Sequence, residues 1–383
     1  MIFEFTDEQK AVQQMARDFA ESKVAPLAAE LDRESRYPEE LVREMAALNL
    51  MGMCVPEDFG GAAMDMLSYV LALEEISKAC ASTGVIMSVN NSLACEPIKT
   101  FGNTEQKKKY LKPLAMGEKL GCYALTEPNA GTDAANQQTR AEKKAGFYVL
   151  NGTKQFITNG AEADIAIVYA STRPEAKSKG VSAFIVESSW KGYRVAKKEK
   201  KLGIRGSSCV QLSFENLEVP VENLLGIEHE GYKVALSTLE VGRIGIAAQS
   251  LGIGAAALDC SLRYSKEREQ FGQSISQMQA IQFMLADMAT RLEAARVLTY
   301  RAADLKGRGA RTPVESSQAK LYSSEMCVFN AWAAVQIHGG YGYVEEYLPE
   351  RLYRDARICE IYEGTSEVQR LLIARNLIKG QVA

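Results

Sequence analysis

The stretch FYVLNGTKQFITNG, residues 147–160, reads as β structure inside a chain that otherwise reads as helix. Phe147, Tyr148, Val149 and Ile157 are of the types that pack well on a pleated, half-buried surface. Asn151-Gly152 stands between two short runs, and Asn-Gly is the strongest short-range signal for a two-residue hairpin turn. The runs IAIVYAS (165–171), VSAFIVESS (181–189), YRVAKKEKKLG (193–203) and VQLSFENLEVP (210–220) follow, separated by turn formers. Residues 122–232 therefore predict an all-β segment the size of a small barrel or sandwich.

Working outward, residues 1–121 and 233–383 carry helical spacing. Thr6 followed by Gln9 predicts a capping box at the first helix. PEELVREMAALNLMGM (38–53) opens with a proline at a helix start. Residues 64–102 read as one long buried helix and the start of another, and 103–117 as a short capped helix. After the β segment, helices are expected from Tyr232 to about Lys266, Gln277 to about Gly307 and Pro313 to about His338, with a last one after Gly364. The expectation is an α+β chain: one compact unit with a β insert between two helical bundles.

Composition narrows the function classes. The 383 residues carry a net charge of -3 with pI near 5.8, which argues against nucleic acid as the main partner. The N-terminal residues show neither a basic n-region nor an apolar h-region, so a cytoplasmic protein is expected. The longest uncharged apolar run, 244–258, is shorter than the ~18 residues of a membrane span. Eight scattered cysteines without a C-x-x-C pair, and only two histidines (His229 and His338), disfavour a metal site and leave little for nucleophile–histidine chemistry.

Five short stretches invite a functional reading beside a bland one. YALTEPNAGTDA (123–134) is a surface loop, or a loop whose N–H groups meet a polar ring or phosphate. In KQFITNG (154–160), Phe156 and Thr158 share a side of a strand, for core packing or for a flat cofactor. REQFG (268–272) and QIHGGYGY (336–343) supply a helix C-cap, or exposed backbone for a pyrophosphate with Arg268 as its charge partner. No G-x-G-x-x-G follows a strand, so no dinucleotide fold and no NAD is implied. In IYEGTSEVQR (361–370), Glu363 is a carboxylate ahead of a helix capped by Ser366 and Gln369, or a base held against a reactive carbon.

These stretches, with KEKKLGIRGS (198–207) and GRIGIAAQSLG (242–252), occur in an order and spacing that resembles the acyl-CoA dehydrogenases, most closely the short-chain (butyryl-CoA) type. The resemblance covers the whole chain. It implies an N-terminal helical domain (1–121), a middle β-barrel or sandwich domain (122–232) and a C-terminal four-helix bundle (233–383). It also implies FAD, an acyl-CoA substrate, electron-transferring flavoprotein as acceptor, and a homotetramer built as a dimer of dimers. Carried onto this sequence, Tyr123, Leu125, Thr126, Gly131 and Thr132 would border the flavin, and Phe156, Ile157 and Thr158 would face its ring. Arg268, Phe271, Gln279, Gln336, Gly339 and Gly340 would hold the FAD of a neighbouring subunit, and Thr365 and Glu367 would close on the flavin. Thr132, Glu240, Arg243, Tyr362 and Gly364 would lie along the acyl-CoA, and Glu363 would be the catalytic base.

The resemblance implies that Glu363 removes the α-proton while a hydride leaves Cβ, giving a trans-2-enoyl-CoA. Relatives that keep their base on the helix around LEVGRIG would place it at Gly242, which cannot serve. Gly84 aligns with the arginine of glutaryl-type relatives, so a small slot there disfavours a dicarboxylate. Phe156 stands where many relatives have tryptophan, and Thr132 where serine is frequent. The alternatives are another short, branched or glutaryl-type acyl-CoA, or a flavin-binding relative without this activity, for which a basic C-terminal extension would be expected.

Overall fold

The computed structural model describes residues 4–380, so the outermost expected domain limits, 1 and 383, lie outside it. Eight helices come first: α1 Asp7–Phe19, α2 Ala28–Glu34, α3 Glu39–Ala47, α4 Met66–Ala79, α5 Ala81–Ser88, α6 Glu96–Phe101, α7 Thr104–Gln106 and α8 Lys112–Ala115. The capping box of α1 is present, with Thr6 Oγ1 accepting from Gln9 N–H at 3.2 Å and Gln9 Oε1 from Thr6 N–H at 3.0 Å. The single long helix expected from residue 66 is broken at Cys80, whose extended backbone (φ -154°, ψ 110°) turns α5 away from α4. Gly84 of α5 then packs on Ser77 of α4, where a methyl group would overlap Ser77 Oγ. The expected slot at Gly84 is thus a helix–helix contact, and it says nothing about the substrate.

Eight strands follow: β1 Gly121–Ala124, β2 Arg140–Lys143, β3 Phe147–Thr158, β4 Ile165–Ser171, β5 Val181–Glu187, β6 Tyr193–Lys198, β7 Cys209–Pro220 and β8 Leu224–Leu225. Their order is β6-β7-β3-β2-β4-β5-β8, with β1 parallel to β4. The two halves meet through the single pair Arg140–Ser171 and close on one core. Ala166, Val168 and Ala170 face that core, whereas Ile165, Ile167 and Tyr169 pack on Ile98, Tyr110 and Leu111 of the helical region. Because both faces of β4 are buried, its sequence is a continuous apolar run.

The hairpin expected at Asn151-Gly152 does not form. β3 runs straight through it for 12 residues and pairs antiparallel with β7. The pair serves a bulge instead: pairing moves from Leu150–Leu217 to Gly152–Phe214. Asn151 Oδ1 accepts from Asn216 N–H at 2.8 Å, and Thr139 lies where a side chain at Gly152 (φ 153°) would have to go. A second shift, between Lys154–Leu212 and Ile157–Val210, places Phe156 at positive φ (59°) and aims it outward.

The chain then returns to helix: α9 Gly231–Glu267, α10 Gln279–Gly307, α11 Pro313–His338, α12 Leu348–Ala356 and α13 Ser366–Ile378, with a small hairpin, β9 Glu269–Gln270 and β10 Gln273–Ser274, between α9 and α10. Helix α12 was not foreseen. Helix α9 has the length of a membrane span and, over its most apolar window, the mean hydropathy of one, but that window is wholly buried, so it is the core helix of the fold.

Candidate active site

Glu363 lies between a 3-10 turn, Arg357–Glu360, and α13. Glu363 and Gly364 both have positive φ (53° and 94°), which is strained for the glutamate. The cap of α13 is Thr365, one residue before the expected Ser366, accepting from Val368 N–H at 3.4 Å. Gln369 does not close a capping box. Its Nε2 turns back and donates to the carbonyls of Gly364 (2.9 Å) and Glu363 (3.3 Å).

With the turn held this way, the Glu363 side chain leaves α13 and meets α9. Its Oε2 lies so close to Gly242 that a methyl group there would overlap it. Among the described residues no N–H of α13 donates to the carboxylate, which lies against α9 instead. Oε2 is sealed from solvent and has no hydrogen-bond partner among the described residues. Burial raises the carboxyl from its ordinary 4.5 to about 7, against the opposing pull of Lys320 and Arg243. Arg243 is buried, with its Nε unpartnered among the described residues, and burial lowers its pKa. The Tyr362 hydroxyl donates to Gln249 of α9, fixing the residue before the carboxylate. Glu363 thus meets α9 at Gly242, beside Arg243, while Tyr362 and Gly364 flank it on the turn that carries it. Glu240, one turn earlier on α9, is also buried but is engaged by Thr312 N–H (3.4 Å), Lys306 (3.5 Å) and Arg311 (3.8 Å).

A second group forms elsewhere. Arg268, Gln336, Gly339 and Gly340 line one cavity of about 690 Å³ with Tyr264, Tyr341 and Tyr347. The Arg268 guanidinium sits 5.6 Å from the Tyr341 ring centre. No residue around Glu363 lines this cavity, and neither do Gln279 nor Phe271, which is 95% exposed in the β9–β10 hairpin.

The third group is the loop after β1 and the bulge of β3. Phe156 is 63% exposed, Thr158 half-buried, and Gly131 and Thr132 exposed. Ile157 and Leu125 point into apolar cores, so only their backbone is open to a ligand. Tyr123 is half-buried and packs on Tyr169 at 5.0 Å between ring centres. The Thr126 carbonyl accepts from Gln155 N–H at 2.8 Å, tying loop to bulge. Glu367 is exposed on the first turn of α13.

Sequence reading missed two buried lysines. Lys154, on the inward face of β3, donates to Glu127 (2.8 Å), the Leu125 carbonyl (3.0 Å) and Gln137 (3.0 Å). Tyr148, Leu150 and Lys154 share the period-2 face, which was the available signal. Lys320 donates to the Gly364 carbonyl at 2.7 Å. It lies on the stripe Ser316, Lys320, Ser323, Cys327 of α11, whose helical spacing marks the buried face.

Fold and site together define a class: a helix–β–helix protein carrying a desolvated carboxylate suited to taking a proton from carbon. Family models match three consecutive parts of the chain: acyl-CoA dehydrogenase N-terminal domain over 6–118, middle domain over 122–217 and C-terminal domain over 229–378. The short-chain specific acyl-CoA dehydrogenase of Clostridium acetobutylicum is 49% identical, over 99% of this chain and 100% of its own. The structure of butyryl-CoA dehydrogenase from Megasphaera elsdenii superposes with a TM-score of 0.97 at 46% identity, covering 99% of this chain and 100% of that one. A chain from the structural work on the electron transferring flavoprotein of Acidaminococcus fermentans matches with a TM-score of 0.98 at 48% identity, again over 99% and 100%. The chain belongs to the acyl-CoA dehydrogenase family.

Proposed function

We propose that this chain dehydrogenates a short-chain acyl-CoA, butyryl-CoA first, between Cα and Cβ to the trans-2-enoyl-CoA, with Glu363 as base. The observation that carries the reading is the Glu363 carboxylate, its Oε2 sealed against Gly242 and its pKa raised to about 7. Partly ionised near neutral pH and poorly solvated, such a carboxylate is a competent base toward a weak carbon acid. The strained turn and the Tyr362–Gln249 bond fix where it points. Gly242 provides the room it occupies, so no second base can stand at that position of α9.

The residues present fit FAD. An aromatic ring at Phe156 is left uncovered at a bulge, and Arg268 with the Gly339-Gly340 backbone lines a cavity suited to an anionic pyrophosphate. Phe156 and Thr158 would border the ring, with the loop from Tyr123 to Thr132. Arg268 and Gln336 to Gly340 would hold the phosphates, in a neighbouring subunit of a tetramer. When bound, FAD is the hydride acceptor, and electron-transferring flavoprotein is the proposed partner that reoxidises it. Arg243, Tyr362 and Gly364 line the approach of the acyl thioester to Glu363. A cytoplasmic location is part of the same proposal.

The test is an anaerobic titration of purified, flavin-loaded protein with butyryl-CoA, followed by its visible spectrum. Bleaching of the oxidised flavin band is expected. A flavin that stays oxidised would move the substrate to another acyl group, and protein that retains no added FAD would end the reading.

A further inference from the structure

Lys320 has no exposed surface on α11. A charged group in such a place is costly unless it is bonded and paired. Its Nζ donates to the Gly364 carbonyl at 2.7 Å, and Gln369 of α13 donates to the same oxygen at 2.9 Å. Two helices thus grip a turn in which both Glu363 and Gly364 have positive φ. Strain of this kind persists only where the surroundings over-determine it. Of the two donors, only Lys320 carries charge, and a charge-assisted bond is about twice as strong as a neutral one.

We propose that Lys320 is a positioning residue for the base: from α11 it fixes the Glu363–Gly364 turn and supplies positive charge to the neighbouring carboxylate. The proposal rests on the reading of Glu363 as the base. The groups acting on the pair come from every side. Arg243 of α9 opposes the charged lysine and favours the charged glutamate. Cys359, Glu363 and Cys327 favour the ammonium, and Glu360 and Glu367 lie within its field. Burial brings Lys320 down to about 8 while it raises Glu363 to about 7. Between those values the carboxylate is ionised and the ammonium is still protonated. Below the window the base carries a proton; above it the turn loses its charged donor.

Two variants separate the roles. Lys320→Met keeps the apolar stem and removes both donor and charge; Lys320→Gln keeps a donor and removes the charge. Infrared difference titration of the flavin-loaded proteins, with Glu363→Gln as blank, reads the Glu363 carboxyl band without any turnover. In both variants the midpoint is expected to move up by at least one pH unit, a tenfold change in the ionised ratio. An unchanged midpoint overturns the proposal, and if Lys320→Met fails to fold, Lys320→Gln decides alone. In flavin reduction by butyryl-CoA, the rate of Lys320→Met is expected to fall at least tenfold, with substrate affinity changed less than threefold. Its rate should also lack the decline expected of wild type above about pH 8, where Lys320 gives up its charge. A wild-type protein that butyryl-CoA does not reduce would sink the proposed substrate, yet the infrared midpoints would still decide the role of Lys320.

Discussion

Glu363 works as a base only if three things hold together: its charge, its direction and the room in front of it. Each is testable by itself. Glu363→Gln is close to isosteric and is expected to keep fold and flavin while flavin reduction by acyl-CoA drops at least about 100-fold. Retained turnover would end the assignment. Gly242→Ala places a methyl group on Oε2 and must displace the carboxylate. A loss of at least about tenfold in kcat is expected, since small misplacements at a reacting centre are costly. The lower limb of the pH profile has a fixed sign: the base must be ionised, so kcat/KM rises with pH through about 7, below the fall that loss of the Lys320 charge brings above about 8. A limb near the ordinary carboxylate value would mean that the group is solvated and the geometry differs. At this scale the sequence named the residue, through the IYEGTSEVQR resemblance, but not its setting. Gly242 and Glu363 are far apart in the chain, and only the packing of the 361–365 turn on α9 joins them.

At the scale of elements, β3 shows both how sequence reading succeeds and how it fails. Its residue types announced β structure in a helical chain. Asn151-Gly152, however, describes any place where the backbone needs positive φ and a local side-chain bond, and a bulge satisfies that as well as a hairpin does. Nine residue pairs along a 12-residue strand decided between them, and their partner β7 lies some 60 residues away. The same strand carries Lys154, 0% exposed beside Glu127, which is 3% exposed. Burial lowers Lys154 to about 8, and Glu127 also accepts from the N–H groups of Gln138 and Thr139, so this pair organises the loop of residues 125–139. Lys154→Met leaves a buried carboxylate without its partner and is expected to cost about 3–5 kcal/mol in urea unfolding at pH 7. Adding Glu127→Leu should recover much of the loss; a double variant no better than the single would show that the ion pair is not what the loop depends on. At the other end of α9, Arg268→Ala is expected to lower the flavin retained per chain after gel filtration. A full complement would count against the Arg268 cavity as a cofactor site.

The whole molecule is joined where KEKKLGIRGS (198–207) meets residues of α2 and α12 that no motif marked. Arg354 of α12 holds Asp32 of α2 at 2.6 and 3.0 Å and reaches the Leu202 carbonyl at 3.3 Å. Its neighbour Asp355 accepts from the N–H of Ile204, a β-branched residue at positive φ (44°). N-terminal helices, β region and C-terminal bundle thus meet through residues more than 150 apart in sequence, a distance that local pattern cannot bridge. Asp355 is 3% exposed, and burial raises it from 3.8 to about 6, more than the Ile204 bond lowers it. The folded chain therefore holds this proton more tightly than the unfolded chain does. Between about pH 4 and 6 the folded state binds more protons at this site, so stability falls as pH rises through the window, by up to about 3 kcal/mol. Asp355→Asn keeps an oxygen for the Ile204 N–H and cannot titrate. It should match wild type near pH 4 and exceed it above pH 6, the difference growing across the interval when urea midpoints are compared. Asp355→Leu has no acceptor and should lie about 1–3 kcal/mol below Asp355→Asn at every pH, because the Ile204 N–H is left unpaired. If Asn and Asp stay parallel from pH 4 to 7, the carboxyl is not desolvated, and the three parts of the fold are held by the Arg354 contacts rather than by Asp355.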